Sequence, residues 1–178
     1  LIPTPLTPVA LQNTMQQVTM SALGTTNPSA VRVGWQPQGQ PAWPSSLDVA
    51  IVRCEESSDP YDKIRDQANF PNDVESLIQQ YRYTRVWTAY WCVYGPNSFD
   101  NVRKIRSALV TDPYTAWLLA NVNTYVIPEI RTPIYAPEQY ARQWWYRTDF
   151  EARFCELVIE QQQVATVASV EINIEFVP

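Results

Sequence analysis

A chain of 178 residues with a formal charge of −5 fits one domain, or one domain with an extension, and is long enough to bury roughly 70% of its unfolded surface. It has no histidine, which removes the commonest general base and metal ligand, and only four glycines, too few for the loops that cradle phosphates. Cys54, Cys92 and Cys155 have no paired short spacing and are read as reduced thiols, and no run approaches the ~18 apolar residues of a membrane span. The composition therefore points to a soluble protein with no cofactor, no metal, no membrane partner and no catalytic residue.

Along the chain, Thr7–Leu23 carries Val9, Leu11, Met15, Val18, Met20 and Leu23, with Pro8 near its start and Gly24 past its end, and is expected to be a helix. Val31–Gln36 and Leu47–Arg53 read as strands around a Pro/Gly/Gln loop over Gln36–Ser46, together suggesting a hairpin with a long tip. Residues 1–46 are thus read as an N-terminal helix with an extended Pro-rich segment, and 47–178 as the main domain. Glu55–Asp73 is polar, with Pro60 and Pro71, and predicts a long acidic loop over 55–75.

A strand follows from about Glu75 to Tyr94, far beyond the usual length of ~5–6 residues. Tyr81 and Tyr83 alternate with Arg82 and Thr84 before Val86–Tyr94 becomes apolar on both faces, so a central strand is expected there, covered on both sides, with an end projecting beyond its core. Gly95-Pro96 stops it, and Asn97 or Ser98 can cap a helix over about 97–110. Its stripe of Phe99, Val102, Ile105, Ala108 and Leu109 should face the sheet, leaving Arg103, Lys104 and Arg106 outside. Pro113–Val122 reads as a short helix, Tyr125–Ile130 as a short strand, and Arg131–Tyr140, with Pro133 and Pro137, as an extended loop.

In Trp144–Phe154 one face carries Trp144, Tyr146, Thr148, Phe150, Ala152 and Phe154, and the other Trp145, Arg147, Asp149, Glu151 and Arg153. Such alternation describes a strand with one buried face. Val167–Val177 repeats it, with Ala168, Val170, Ile172, Ile174 and Phe176 alternating with Ser169, Glu171, Asn173 and Glu175, so a long antiparallel hairpin linked through Gln161–Gln163 should end the chain. The fold class expected is α+β, with a mostly antiparallel sheet of unusually long strands, one main helix packed on it and an N-terminal helix.

Charge is divided along the chain. From Glu55 to Glu75 seven acids, among them Asp59, Asp62 and Asp66, face only Lys63 and Arg65, whereas Arg82, Arg85, Arg103, Lys104 and Arg106 make the following segment basic. Opposite patches steer association and fix register, so these residues are candidate interface positions, as is the mixed ladder Arg147, Asp149, Glu151 and Arg153. Glu55-Glu56 or Asp149 with Glu151 could be proposed as an acid–base pair, but Glu55-Glu56 open an acidic loop, and Arg147 and Arg153 on the same strand face suit Asp149 and Glu151 to ion pairing. Tyr81, Tyr83 and Trp87 within basic sequence have the ingredients of a nucleic-acid stacking platform, against which stands a sequence pI near 4.7.

An aromatic strand ending in Tyr94-Gly95, a short polar link, a helix with Asp100 then Ile105-Arg106-x-x-Leu109, a Pro-rich loop, and Trp145-Tyr146-Arg147 opening a long alternating strand resemble the neck and tail-terminator proteins of tailed bacteriophages. The resemblance spans Leu47–Val177 and omits the acidic segment and the Pro-rich N-terminus. It implies a tail-terminator-like domain in a structural virion protein of the tail and neck. Such a protein would form a ring homo-oligomer, expected to be a hexamer, that ends the tail tube and joins it to the neck or connector proteins, assembled in the host bacterial cytoplasm. DNA would pass through without specific binding, with Glu171 and Glu175, or the acidic loop, expected to face the channel. Another head-to-tail connector or tail-completion protein, or a β-rich ligand-binding module, are the alternatives.

Overall fold

The computed structural model describes residues 5–34, 42–58, 60, 64–71 and 76–165. The elements are α1 (Pro8–Leu23), β1 (Val31–Val33), β2 (Val49–Ser57), β3 (Asp66–Pro71), β4 (Ser76–Tyr94), α2 (Ser98–Thr111), α3 (Pro113–Asn121), β5 (Thr124–Val126), β6 (Ile134–Tyr135), β7 (Glu138–Tyr140), β8 (Gln143–Trp145) and β9 (Arg147–Ala165). This is the expected α+β architecture. Its spine is the antiparallel pair β4–β9, two strands of 19 residues in continuous register from Ser76↔Ala165 to Tyr94↔Arg147. Around it the main sheet runs β1-β2-β4-β9-β5, with β3 continuing the β2 side of β4, β6 pairing β9, and β7–β8 forming a separate hairpin.

The core lies on one face of this sheet. Ala50, Val52 and Cys54 of β2, Trp87, Ala89, Trp91 and Val93 of β4, and Phe150, Ala152 and Phe154 of β9 alternate inward and meet α1, α2 and α3. α1 presents Leu11, Met15 and Val18, all fully buried. Its first turn is capped by the Thr7 hydroxyl accepting the Ala10 amide at 3.2 Å, and it ends at Gly24, whose left-handed φ of 64° lets its amide reach the Met20 and Ser21 carbonyls. Thr19 joins helix to sheet, donating to the Met15 carbonyl and accepting the Trp91 indole N–H at 2.8 Å.

The β4–α2 turn requires Gly95. At φ +111° a Cβ there would stand 2.7 Å from both the Leu47 carbonyl oxygen and the Asp48 Cα. Asp48 then accepts the Asn97 amide at 3.0 Å and its side-chain amide at 2.9 Å, fastening the start of α2 to the start of β2. Asn97 occupies the cap position but makes no capping hydrogen bond of its own. α2 buries Val102, Ile105, Ala108 and Leu109 as expected; Phe99, placed on the same stripe, is 44% exposed. Ser98 and Asn101 face inward in its stead, and the Ser98 and Thr148 hydroxyls share a hydrogen bond of 3.1 Å.

Other expectations change with the pairing. β1 runs parallel to β2, so the two are not a hairpin; the connection from Gly34 to Asp48 has the dozen or so residues that a parallel crossover needs. The stretch 55–75 is not one loop, because Glu55–Ser57 end β2 and Asp66–Pro71 form β3 against Leu77–Arg82. Gln161–Gln163 are strand residues opposite Ile78–Gln80, not a connection. The strand expected over Tyr125–Ile130 is confined to Thr124–Val126. No described helix covers the outer face of β4, where Tyr90, Cys92 and Tyr94 are half-buried among side chains. The final strand expected over Val167–Val177, and Gln36–Pro41 of the expected loop, lie outside the described residues.

Candidate assembly surfaces

At the middle of β4–β9 the inward face changes chemistry without changing phase. Glu156 follows Phe150, Ala152 and Phe154 in the alternation and is 2% exposed. Its carboxylate accepts the Trp87 indole N–H at 2.9 Å, the Leu6 amide at 2.7 Å and the Arg85 guanidinium at 2.8 Å. Arg85 also donates to the Leu6 carbonyl at 2.6 Å and lies over the Trp87 ring. One buried ion pair thus straps the segment before α1 to both long strands, with every charged group hydrogen-bonded. Arg85, a candidate interface residue, is held inside the subunit. Glu156 was not singled out from the sequence, although a carboxylate in phase with an apolar face was the available signal.

Beyond that row the two strands and β3 form a ribbon whose side chains are mostly exposed or half-buried. Arg82 lies opposite Asp66 in register but donates both Nε and Nη2 to Gln80 Oε1, at 3.0 and 2.6 Å. The Tyr83 hydroxyl donates to Glu160 at 3.0 Å, and burial, ahead of that bond, pushes its pKa up. Asp59 and Asp62 lie outside the described residues, as do Glu171 and Glu175.

The ladder on the outer face of β9 exists, and it is answered within the subunit. Arg147 pairs with Asp149 at 2.8 Å and with Glu138 at 3.0 Å, and Glu151 pairs with Arg131 at 2.7 Å. The Asp149 hydrogen bond, more than anything else, holds Arg147 firmly protonated. Arg153 sits half-buried on the same face and is also partnered. Ile51, Arg53, Tyr90, Cys92 and Ile134 complete a groove of about 460 Å³ with this ladder. Burial pushes the Cys92 thiol up to about 11 and the Cys54 thiol up to about 12, so neither is a reactive thiolate near neutral pH.

Next to the ladder, Trp43, Tyr94, Tyr140 and Trp145 pack edge to face, with Trp43 at 5.6 Å from Tyr94 and 5.9 Å from Trp145 between ring centres. The Tyr94 hydroxyl donates to Glu138 at 3.0 Å, and burial, with Cys92 and then Glu138 adding, raises its pKa. Trp145-Tyr146-Arg147 thereby unites the aromatic cluster and the ion-pair ladder at the strand's start.

Arg103, Lys104 and Arg106 are exposed on the outside of α2, where Arg103 meets Asp100 at 3.9 Å. Arg103, Arg106 and Val110 line a groove of about 450 Å³ with Ser107, Thr111, Pro128 and Ile130. The surface is thus a set of ribbon, ladder and basic-helix faces with opposed charges, suited to holding proteins together. A family model described as phage neck terminator protein matches residues 9–178. The chain belongs to that family. As a phage neck terminator protein it is a structural component of the virion's tail and neck, and it interacts with other proteins there. No curated protein matches the chain. Among the described residues of this neck terminator protein, no helix is long and apolar enough to cross a membrane.

Proposed function

We propose that this neck terminator protein is one subunit of a closed ring, hexameric in our reading, that ends the tail tube and joins it to the neck or connector proteins. The observation that carries the proposal is the far part of the β4–β9 ribbon. Among the described side chains of residues 77–85 and 156–164 none belongs to the apolar core cluster, and although Val158 is buried, Phe70, Leu157 and Val164 on this ribbon are exposed. Strands that lack a core of their own gain one by packing on another protein. Identical subunits that meet head to tail close into a ring when the rotation between them closes.

The subunit is proposed to be non-catalytic. Each of the four carboxylates considered as acid–base pairs faces a guanidinium: Glu55 with Arg53 at 3.7 Å, Glu56 with Arg85 at 3.7 Å, Asp149 with Arg147 and Glu151 with Arg131. DNA is proposed to pass through the ring without specific binding, with Glu171 and Glu175 toward the channel, since a wall that offers phosphates no cations does not hold the duplex by counterion release. Assembly in the host bacterial cytoplasm completes the proposal.

The test is the mass of the purified full chain by light scattering, with negative-stain images of the same sample. A discrete oligomer with a central hole is the expected result. A strictly monomeric protein at high concentration would remove the ring from the proposal.

A further inference from the structure

Between neighbouring subunits of such a ring, two exposed features of the chain match each other. The first is the β3 strand. It pairs with β4 along one edge and has no described partner along the other. Asp66, Ala68 and Phe70 share one of its faces by alternation. Asp66 makes no ion pair with a described residue, because Arg82 across from it turns to Gln80. Phe70 is 43% exposed. An edge strand of this kind presents an acid and an aromatic ring, roughly 13 Å apart at the usual strand rise.

The second is the groove beside α2. Arg103 and Arg106 stand at one end of its wall and Val110 at the other, and Pro128 and Ile130 supply apolar contact. Val110 is 70% exposed. At the rise of a helix, Arg103 and Val110 are roughly 10 Å apart along the axis. Charge and apolar surface therefore follow one another with similar spacing on the strand and in the groove, with opposite signs of charge. The two lie on different parts of the subunit, so their contact is heterologous, as a ring requires.

We propose that β3 of one copy docks in the α2 groove of the next, with Asp66 against Arg103 and Arg106 and Phe70 against Val110 and Ile130. This rests on the ring reading. It makes the basic helix the receiving side of each junction, and it assigns the split charge of the sequence to association steering and register.

The experiment reverses charge on either side in the full chain. Arg103→Glu with Arg106→Glu should convert the ring to smaller species in light scattering, with an unchanged circular dichroism spectrum because both side chains are exposed. Asp66→Arg alone should do the same. Combined in one chain, the three changes should restore the ring mass. A ring that tolerates the double reversal, or a combined variant that stays dissociated while folded, overturns the docking and leaves the ring standing. A wild-type chain that is itself monomeric overturns the ring reading and the docking together. Should the reversed helix fail to fold, Phe70→Asp on the strand side reads the same junction: loss of the ring is expected, and an intact ring overturns the proposal.

Discussion

The two halves of the β4–β9 pair share strands, register and pleat, and differ in what lies under them. In the half that runs from Val86 to Tyr94 and from Arg147 to Cys155, the inward face is Trp87, Ala89, Trp91 and Val93 against Phe154, Ala152, Phe150 and Thr148, and three helices cover it. In the other half the same face carries Tyr81, Tyr83 and Arg85 against Glu160, Val158 and Glu156; Val158 is still buried, but none of these residues belongs to the apolar core cluster. The change begins at the row Arg85↔Glu156, where the strap through Leu6 closes the core cluster, and Val158 in the next inward row is still buried. A strand's length is thus independent of the size of its core. Backbone pairing carries the ribbon onward, and its chemistry there suits contact with another chain more than with its own.

Trp91 lies at the centre of the covered half and is 1% exposed. Trp91→Ala should lower unfolding stability by about 4 kcal/mol, since it opens a cavity and frees the Thr19 hydroxyl from its indole partner. Phe70→Ala, in the uncovered half, should cost under about 1 kcal/mol in the isolated subunit. Urea denaturation of both variants checks the contrast. Equal losses would mean that the ribbon has a core of its own.

Next in size is the boundary row. Glu156→Gln removes the charge that answers the half-buried Arg85 and should cost about 3 kcal/mol. Arg85→Met added to it should cost little more, because the ion pair is already gone. A double-mutant cycle by urea denaturation measures this, and additive losses would show that the two groups act separately.

Much of this contrast was legible from residues alone. Ser76–Tyr94 contains no glycine or proline, so one long strand was readable, as was the point near Val86 where both faces turn apolar. α2 was legible from its stripe except at Phe99, which sits in the first turn where Ser98 takes the inward place. The misreadings share a cause, which is that non-local pairing leaves little local trace. Pro71 marks a loop in isolation but is acceptable at the end of an edge strand, and Gln161–Gln162 look like a turn until Gln80 and Gln79 are found opposite them. The parallel β1–β2 pair depends on the route of the chain between them. In the site, the ladder of Arg147, Asp149 and Glu151 was visible, but its partners Arg131 and Glu138 come from a segment that reads as loop. The family was legible because its aromatic, glycine and Trp-x-Arg positions are local in sequence and structural in role.

The smallest expected effect concerns how the covering layer is held. α3 begins at Asp112, whose carboxylate accepts the Thr115 hydroxyl at 2.8 Å and the Tyr114 and Thr115 amides at 3.2 Å each. The Thr115 hydroxyl, chiefly, holds its pKa below the ordinary carboxylate value, with the two amides adding. A carboxyl with a depressed folded pKa binds protons more readily in the unfolded chain, so its contribution is full above the unfolded value near 3.8 and is lost as pH falls through the lower folded one. The advantage of the wild type over Asp112→Ala in melting temperature should therefore be constant at neutral pH and shrink below about pH 4. Because α3 packs on β5, α1 and α2 and contributes Leu118 and Leu119 to the core cluster, hydrogen exchange should show that loss in α3 and the elements packed on it, while the Ser76–Arg85 ribbon exchanges at an unchanged rate. If the ribbon's protection fell with the cap, the two halves would form one cooperative unit, and the uncovered half would draw its order from the helices after all.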